Sequence, residues 1–144
     1  NGTWYCSQIA AKQMVKQQGG TILNIGSVSP LTGRPLNAHS AAAKAGVLAL
    51  TKTLAVEWAP YNIRVNLIAP GPIEQTGAVD QLWPTPEAAE AVLQGIPLKR
   101  FGHPQEVANL ASYLVSDYAA YVSGACFIID GAGWLGKGMF KSDK

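Results

Sequence analysis

The sequence predicts an α/β fold, with about three parallel strands and flanking helices. Three observations point there. Short runs rich in β-branched residues occur at positions 21–25, 63–69 and 126–129. A helical pattern precedes each run, and helix–strand alternation of this kind builds a parallel sheet. Each run ends on turn formers: Gly26-Ser27, Pro70-Gly71-Pro72 and Asp130-Gly131.

Residues 3–17 set Ile9, Ala10, Met14 and Val15 among lysines and glutamines, an amphipathic helix closed by Gly19-Gly20. Residues 21–25 read as a buried strand. Residues 28–39 hold two prolines and a glycine and read as a loop. Residues 40–59 form the clearest helix: Val47, Leu50, Leu54 and Trp58 recur on one stripe, and Pro60 stops it. Residues 63–69 are the second buried strand. The connection 74–98 contains one short helix, opened by Thr85 as N-cap with Pro86 behind it and closed by Gly95. So long a connection is expected to be a lid or binding loop. Pro104 opens a further helix with Val107, Leu110, Ala111 and Leu114 as its stripe, and residues 126–129 are the third strand.

The 144 residues make one domain, 1–144. Hydrophobic residues make up 48% and charged residues 14%, low for a soluble monomer, so surface is expected to be buried against a partner. A net charge of +2 without a basic cluster argues against nucleic acid or an anionic membrane. Apolar runs are broken well short of a transmembrane span. Cys6 and Cys126 are isolated and only two histidines occur, so neither a metal site nor a disulfide framework is expected, and a reducing, cytoplasmic compartment is. The chain opens on Asn1, within what already reads as helix, and is expected to be part of a longer reading frame. Asn1-Gly2-Thr3 fits the glycosylation triplet and reads as a chance match.

Gly131-Ala-Gly133-Trp-Leu-Gly136 matches a dinucleotide fingerprint. Too little chain follows it for a helix and a second strand, so it reads as a strand-end turn.

The chemistry-bearing residues lie elsewhere. Ser27 follows the first strand, and after about a dozen residues comes Ser40-Ala-Ala-Ala-Lys44 on the clearest helix. Lys44 falls in that helix's first turn, where its charge opposes the dipole and therefore calls for a reason. In order and spacing this resembles the catalytic half of the short-chain dehydrogenase/reductase family. The resemblance implies the C-terminal half of a Rossmann-like doubly wound parallel sheet, with the pyrophosphate-cradling part lying before Asn1. It implies that Lys44 bonds the nicotinamide ribose hydroxyls, that Ser27 orients a substrate carbonyl, and that Asn1 holds a water relay. It also implies that the Pro70-Gly71-Pro72-Ile73 backbone meets the nicotinamide carboxamide and that the Thr76 hydroxyl contacts the cofactor.

The family's tyrosine, four residues before the lysine, is Ser40 here. Tyr5, Tyr61, Tyr113, Tyr118 and Tyr121 read as packing or surface residues, and none lies between Ser27 and Lys44. A serine hydroxyl is too weak an acid to stand in for a phenol. Ketone reduction makes an alkoxide that needs a proton donor. Reduction of a conjugated enoyl thioester makes an enolate that needs only hydrogen-bond stabilisation at oxygen. Residues 39–78, including Ala-Val-Glu-Trp at 55–58, resemble the 2,4-dienoyl-CoA reductase branch, which carries serine at this position. The resemblance implies NADPH as cofactor and an acyl-CoA substrate in unsaturated fatty acid breakdown. Mitochondrial-type members place a substitute tyrosine where this chain has Ser29, so the bacterial members are the better match. The oxyanion donors then come from Ser40, Ser27, Asn1 or Lys44 through water. Two alternatives stay open. One is a carbonyl reductase of the same family with His39 or water as acid. The other is a non-catalytic piece acting through helices 3–17 and 40–59, which form a dimer bundle in the family and would give a homo-oligomer.

Overall fold

The computed structural model describes residues 2–33 and 36–136. In chain order they form α1 (Gly2–Lys16), β1 (Gly20–Ile25), α2 (Ser29–Thr32), α3 (Ala38–Glu57), β2 (Ile63–Pro70), α4 (Gly77–Leu82), α5 (Pro86–Gln94), α6 (Pro104–Val115) and β3 (Cys126–Ile129). The sheet is parallel with order β1-β2-β3. Gly20 lies opposite Ile63 and Ile25 opposite Ile68, while Leu67 to Pro70 pair with Cys126 to Ile129.

Alternation along β2 sends residues to both faces, and helices cover each. Ile63 and Val65 pack with Ala11 of α1 and with Leu54 and Ala55 of α3. Ile68 packs on the other face with Leu114 of α6 and Ala119. β2 is the central strand and is buried from Val65 to Ala69. β1, expected as a buried strand, is mostly half-buried, as is β3, because each pairs on one side only among the described residues.

Three expectations need correcting. Residues 28–39 are not all loop: Ser29–Thr32 makes one helical turn, because Pro30 falls at a first-turn position where its missing N–H costs nothing. The helix expected from residue 40 starts at Ala38, so Lys44 is its seventh residue and lies beyond the first turn where the dipole acts. The connection 74–98 holds two helices, α4 and α5, where one was expected. Thr85 caps α5 as expected, its hydroxyl accepting from the Ala88 N–H at 3.2 Å.

Candidate active site

The carboxyl ends of parallel strands are where ligands sit in open α/β sheets. Three segments converge there. Ser27 stands two residues past β1, and its Oγ lies 2.6 Å from Ser29 Oγ while accepting the Ser29 N–H at 3.1 Å. This small turn starts α2 and fixes the serine side chain. Lys44 is half-buried on α3 and donates from Nζ to the Ile25 carbonyl at 3.0 Å, just before Ser27. One ammonium proton is thus spent and two remain for a ligand. Ser40 lies one helical turn before Lys44 on the same face of α3. His39 is exposed beside it. Asn1 lies outside the described residues.

The third segment is the turn after β2. The Gly71 N–H donates to the Ile129 carbonyl at 2.9 Å, locking the turn to the end of β3. A Cβ on Gly71 would lie 2.5 Å from Asp130 Cβ and 2.9 Å from its Cα, so only glycine fits. Ile73 is buried, and the Thr76 hydroxyl donates to the Ile73 carbonyl at 2.7 Å. Pro70, Gly71, Ile73 and Thr76 therefore form one braced unit.

Sequence reasoning missed the charged cluster behind this unit. Glu74 Oε1 meets His103 Nδ1 at 2.5 Å. Arg100 makes a forked pair with Glu106 at 2.6 and 2.8 Å, and the His103 N–H donates to Glu106 at 2.7 Å. The Arg100 guanidinium, aided by the His103 N–H, holds the Glu106 carboxyl down at about 2. The Glu106 carboxylate in turn raises the Arg100 pKa. One local signal could have found part of this: Glu106 stands three residues after the N-cap His103, the spacing of a capping box. A cleft of about 90 Å³ beside Pro72, Leu98 and Gly102 is far smaller than an acyl thioester needs.

Among the described residues, no group of three or more His, Cys, Asp and Glu side chains could hold a metal. No helix among them is long and apolar enough to cross a membrane. The glycine string after β3 is a turn packed on residues 96–98. A Cβ on Gly131 would lie 2.9 Å from Ile96 Cγ2, and one on Gly136 3.1 Å from Pro97 Cγ. Its Gly133, Leu135 and Gly136 N–H groups bond to carbonyls of Asp130 and Ala132, so the turn offers no phosphate cradle. Lys44 keeps donors free for a ligand, while the turn after β2 is held by bonds from Gly71 to Ile129 and from Gly102 to Pro72. Nothing among the described residues suits the pyrophosphate of a dinucleotide.

A family model described as enoyl-(acyl carrier protein) reductase matches residues 1–133. A Bacillus subtilis (strain 168) protein named "Probable 2,4-dienoyl-CoA reductase" is 49% identical over 94% of this chain and 54% of its own length. A 3-oxoacyl-(acyl-carrier-protein) reductase of Thermotoga maritima is 46% identical over 90% of this chain and 52% of its own. The chain thus spans about half the length of the curated relatives it matches. Among solved structures, a short chain dehydrogenase from Bacillus anthracis superposes with a TM-score of 0.83 at 49% identity, covering 92% of this chain and 52% of that one. A 4-hydroxyisoleucine dehydrogenase complexed with NADH superposes at 0.87 and 34% identity, covering 94% and 56%. The chain belongs to the short-chain dehydrogenase/reductase family of nicotinamide-dependent oxidoreductases.

Proposed function

We propose that this chain carries the catalytic part of an NADPH-dependent 2,4-dienoyl-CoA reductase, working with a segment that supplies the pyrophosphate site. The observation that supports this reading is Ser40 in place of a tyrosine, one helical turn from Lys44, in a chain 49% identical to a relative named for that reaction. The cofactor, when bound, supplies a hydride. The chain's own residues orient and stabilise. The free protons of Lys44 hold the ribose hydroxyls, and the turn of Pro70, Gly71 and Ile73, with Thr76, seats the carboxamide. Ser27 and Ser40, with Asn1 and a Lys44-bound water, donate to the thioester oxygen as enolate charge develops there. Water then protonates carbon. No residue of the site has to act as a phenol does.

Residues 74–98 cover the acyl chain. Exposed Tyr5 and Ile9 on α1 and Val56 on α3 leave an apolar surface that fits association of identical subunits. The relative from Bacillus subtilis, a bacterial protein, is in keeping with a cytoplasmic compartment.

A second reading, a carbonyl reductase using His39 or water as acid, draws on the 46% identity to a 3-oxoacyl reductase. A panel of dienoyl-CoA thioesters against 3-oxoacyl thioesters, each with NADPH and NADH, separates the two. Reduction of 3-oxoacyl substrates alone removes the first reading. In the dienoyl-CoA assay, Lys44→Ala is expected to lower kcat/KM by about a hundredfold or more. An unchanged value removes Lys44 from the site.

A further inference from the structure

Residues 100–103 grip three separate parts of the molecule. Arg100 forks onto Glu106 of α6. The Phe101 ring stacks on Trp83 at the end of α4, with centroids 6.0 Å apart and planes 19° apart. Gly102 donates to the Pro72 carbonyl at 3.0 Å and accepts from the Glu74 N–H at 2.9 Å, an isolated parallel bridge to Ile73. His103 closes the run against Glu74. Gly102 lies so close that a Cβ there would stand 2.7 Å from Ile73 Cδ1. Helix α4 has six residues, too few to hold its shape without outside contacts.

We propose that residues 100–103 form a strap coupling the 74–98 cover to the turn after β2, with Phe101 as its positioning residue. Through Trp83, Phe101 fixes where α4 lies. Through Gly102 and His103, the same four residues fix where Pro72, Ile73 and Glu74 lie. A shift of the cover over substrate is thereby transmitted to the turn. The idea rests on the reading above, which gives that turn to the nicotinamide end and the cover to the thioester.

Hydrogen exchange followed by mass spectrometry on the full protein tests it without turnover. Phe101→Ala is expected to speed exchange in 77–82 by about threefold to tenfold, the weight of one aromatic stack. The Glu74 and Gly102 amides are expected to speed up with it, while 63–69 stay unchanged. Phe101→Tyr keeps the stack and restores the parent pattern. In the dienoyl-CoA assay Phe101→Ala raises KM for thioester and for NADPH together, whereas a merely structural residue lowers kcat alone. Faster exchange confined to 77–82, or a uniform rise that includes 63–69, overturns the strap. If Phe101→Ala does not fold, Trp83→Leu cuts the same stack from the other side and is judged by the same criteria. Coupled exchange in a protein without dienoyl-CoA reductase activity removes the functional reading and leaves the strap. Uncoupled exchange in an active protein removes only the strap.

Discussion

Arg64 offers the sharpest quantitative check on how the sheet is tied to α6. It points from β2 toward the carboxyl end of α6, where Nη1 donates to the Leu114 carbonyl at 3.0 Å and the Val122 carbonyl at 3.2 Å, and Nη2 to the Ser116 carbonyl at 3.3 Å. Counting three charged hydrogen bonds at full weight overstates their worth. The Val122 carbonyl also accepts from Asn66 Nδ2 at 2.7 Å, and the Ser116 carbonyl from the Ala119 N–H at 3.2 Å. Removing the guanidinium therefore leaves chiefly the Leu114 carbonyl short of a partner. An orphaned buried acceptor costs about 1–3 kcal/mol. A lost cation at a helix carboxyl end adds about 0.3–1 kcal/mol. Arg64→Met keeps most of the aliphatic stem and is expected to destabilise by roughly 1.5–4 kcal/mol. In urea titration the midpoint falls by about 1 M with the slope unchanged. Arg64→Lys recovers only part of the loss, because one ammonium cannot span the fork. A change in Arg64→Met below about 0.5 kcal/mol, the range of a neutral surface site, refutes the orphaned-carbonyl argument. A change above about 6 kcal/mol refutes the discount for shared acceptors.

Two further outcomes follow from the site's frame. Gly71→Ala forces the turn off Asp130 and is expected to cost about 1–3 kcal/mol in thermal or urea unfolding, with a raised KM for the nicotinamide cofactor; full stability would show that the turn can shift freely. The Glu106 carboxyl is held at about 2 against an ordinary 4.5, so its stabilising contribution is complete above 4.5 and is lost as pH falls through 2. The difference in Tm between the parent and Glu106→Gln should therefore shrink over that window, and a constant difference would mean that the Arg100 pair does not form in solution.

The parts legible in the sequence were those carried by helical periodicity or by short apolar runs between turn formers. The stripes of α1, α3 and α6 repeat at helix spacing, the runs 21–25, 63–69 and 126–129 stand out as short apolar stretches ended by turn formers, and each forms its element. Ser29–Thr32 and α4 were not legible, since four and six residues are too few for a period to show. Buried polar pairing was equally silent. Asn24 sits inside an apolar-looking strand because its amide donates to Thr51 Oγ1 of α3 at 2.9 Å. Asn66, buried at the sheet centre, bonds the Val122 carbonyl and the Ala125 N–H. Only the fold brings those partners together.

The same division runs through the site. Ser27, Ser40, Lys44 and the turn after β2 stand out in the sequence by their order and spacing, which resemble those of the short-chain dehydrogenase/reductase family. What braces them does not. Glu74 and His103 are 29 positions apart, and Trp83 and Phe101 meet only because α4 folds back toward the start of α6. Residues that face a ligand tend to occupy strand ends. Residues that hold those in place come from whichever element happens to pack behind. A substitution at Phe101 therefore has no local signature in the sequence, yet its neighbour Gly102 bonds the turn on which the proposed cofactor site depends.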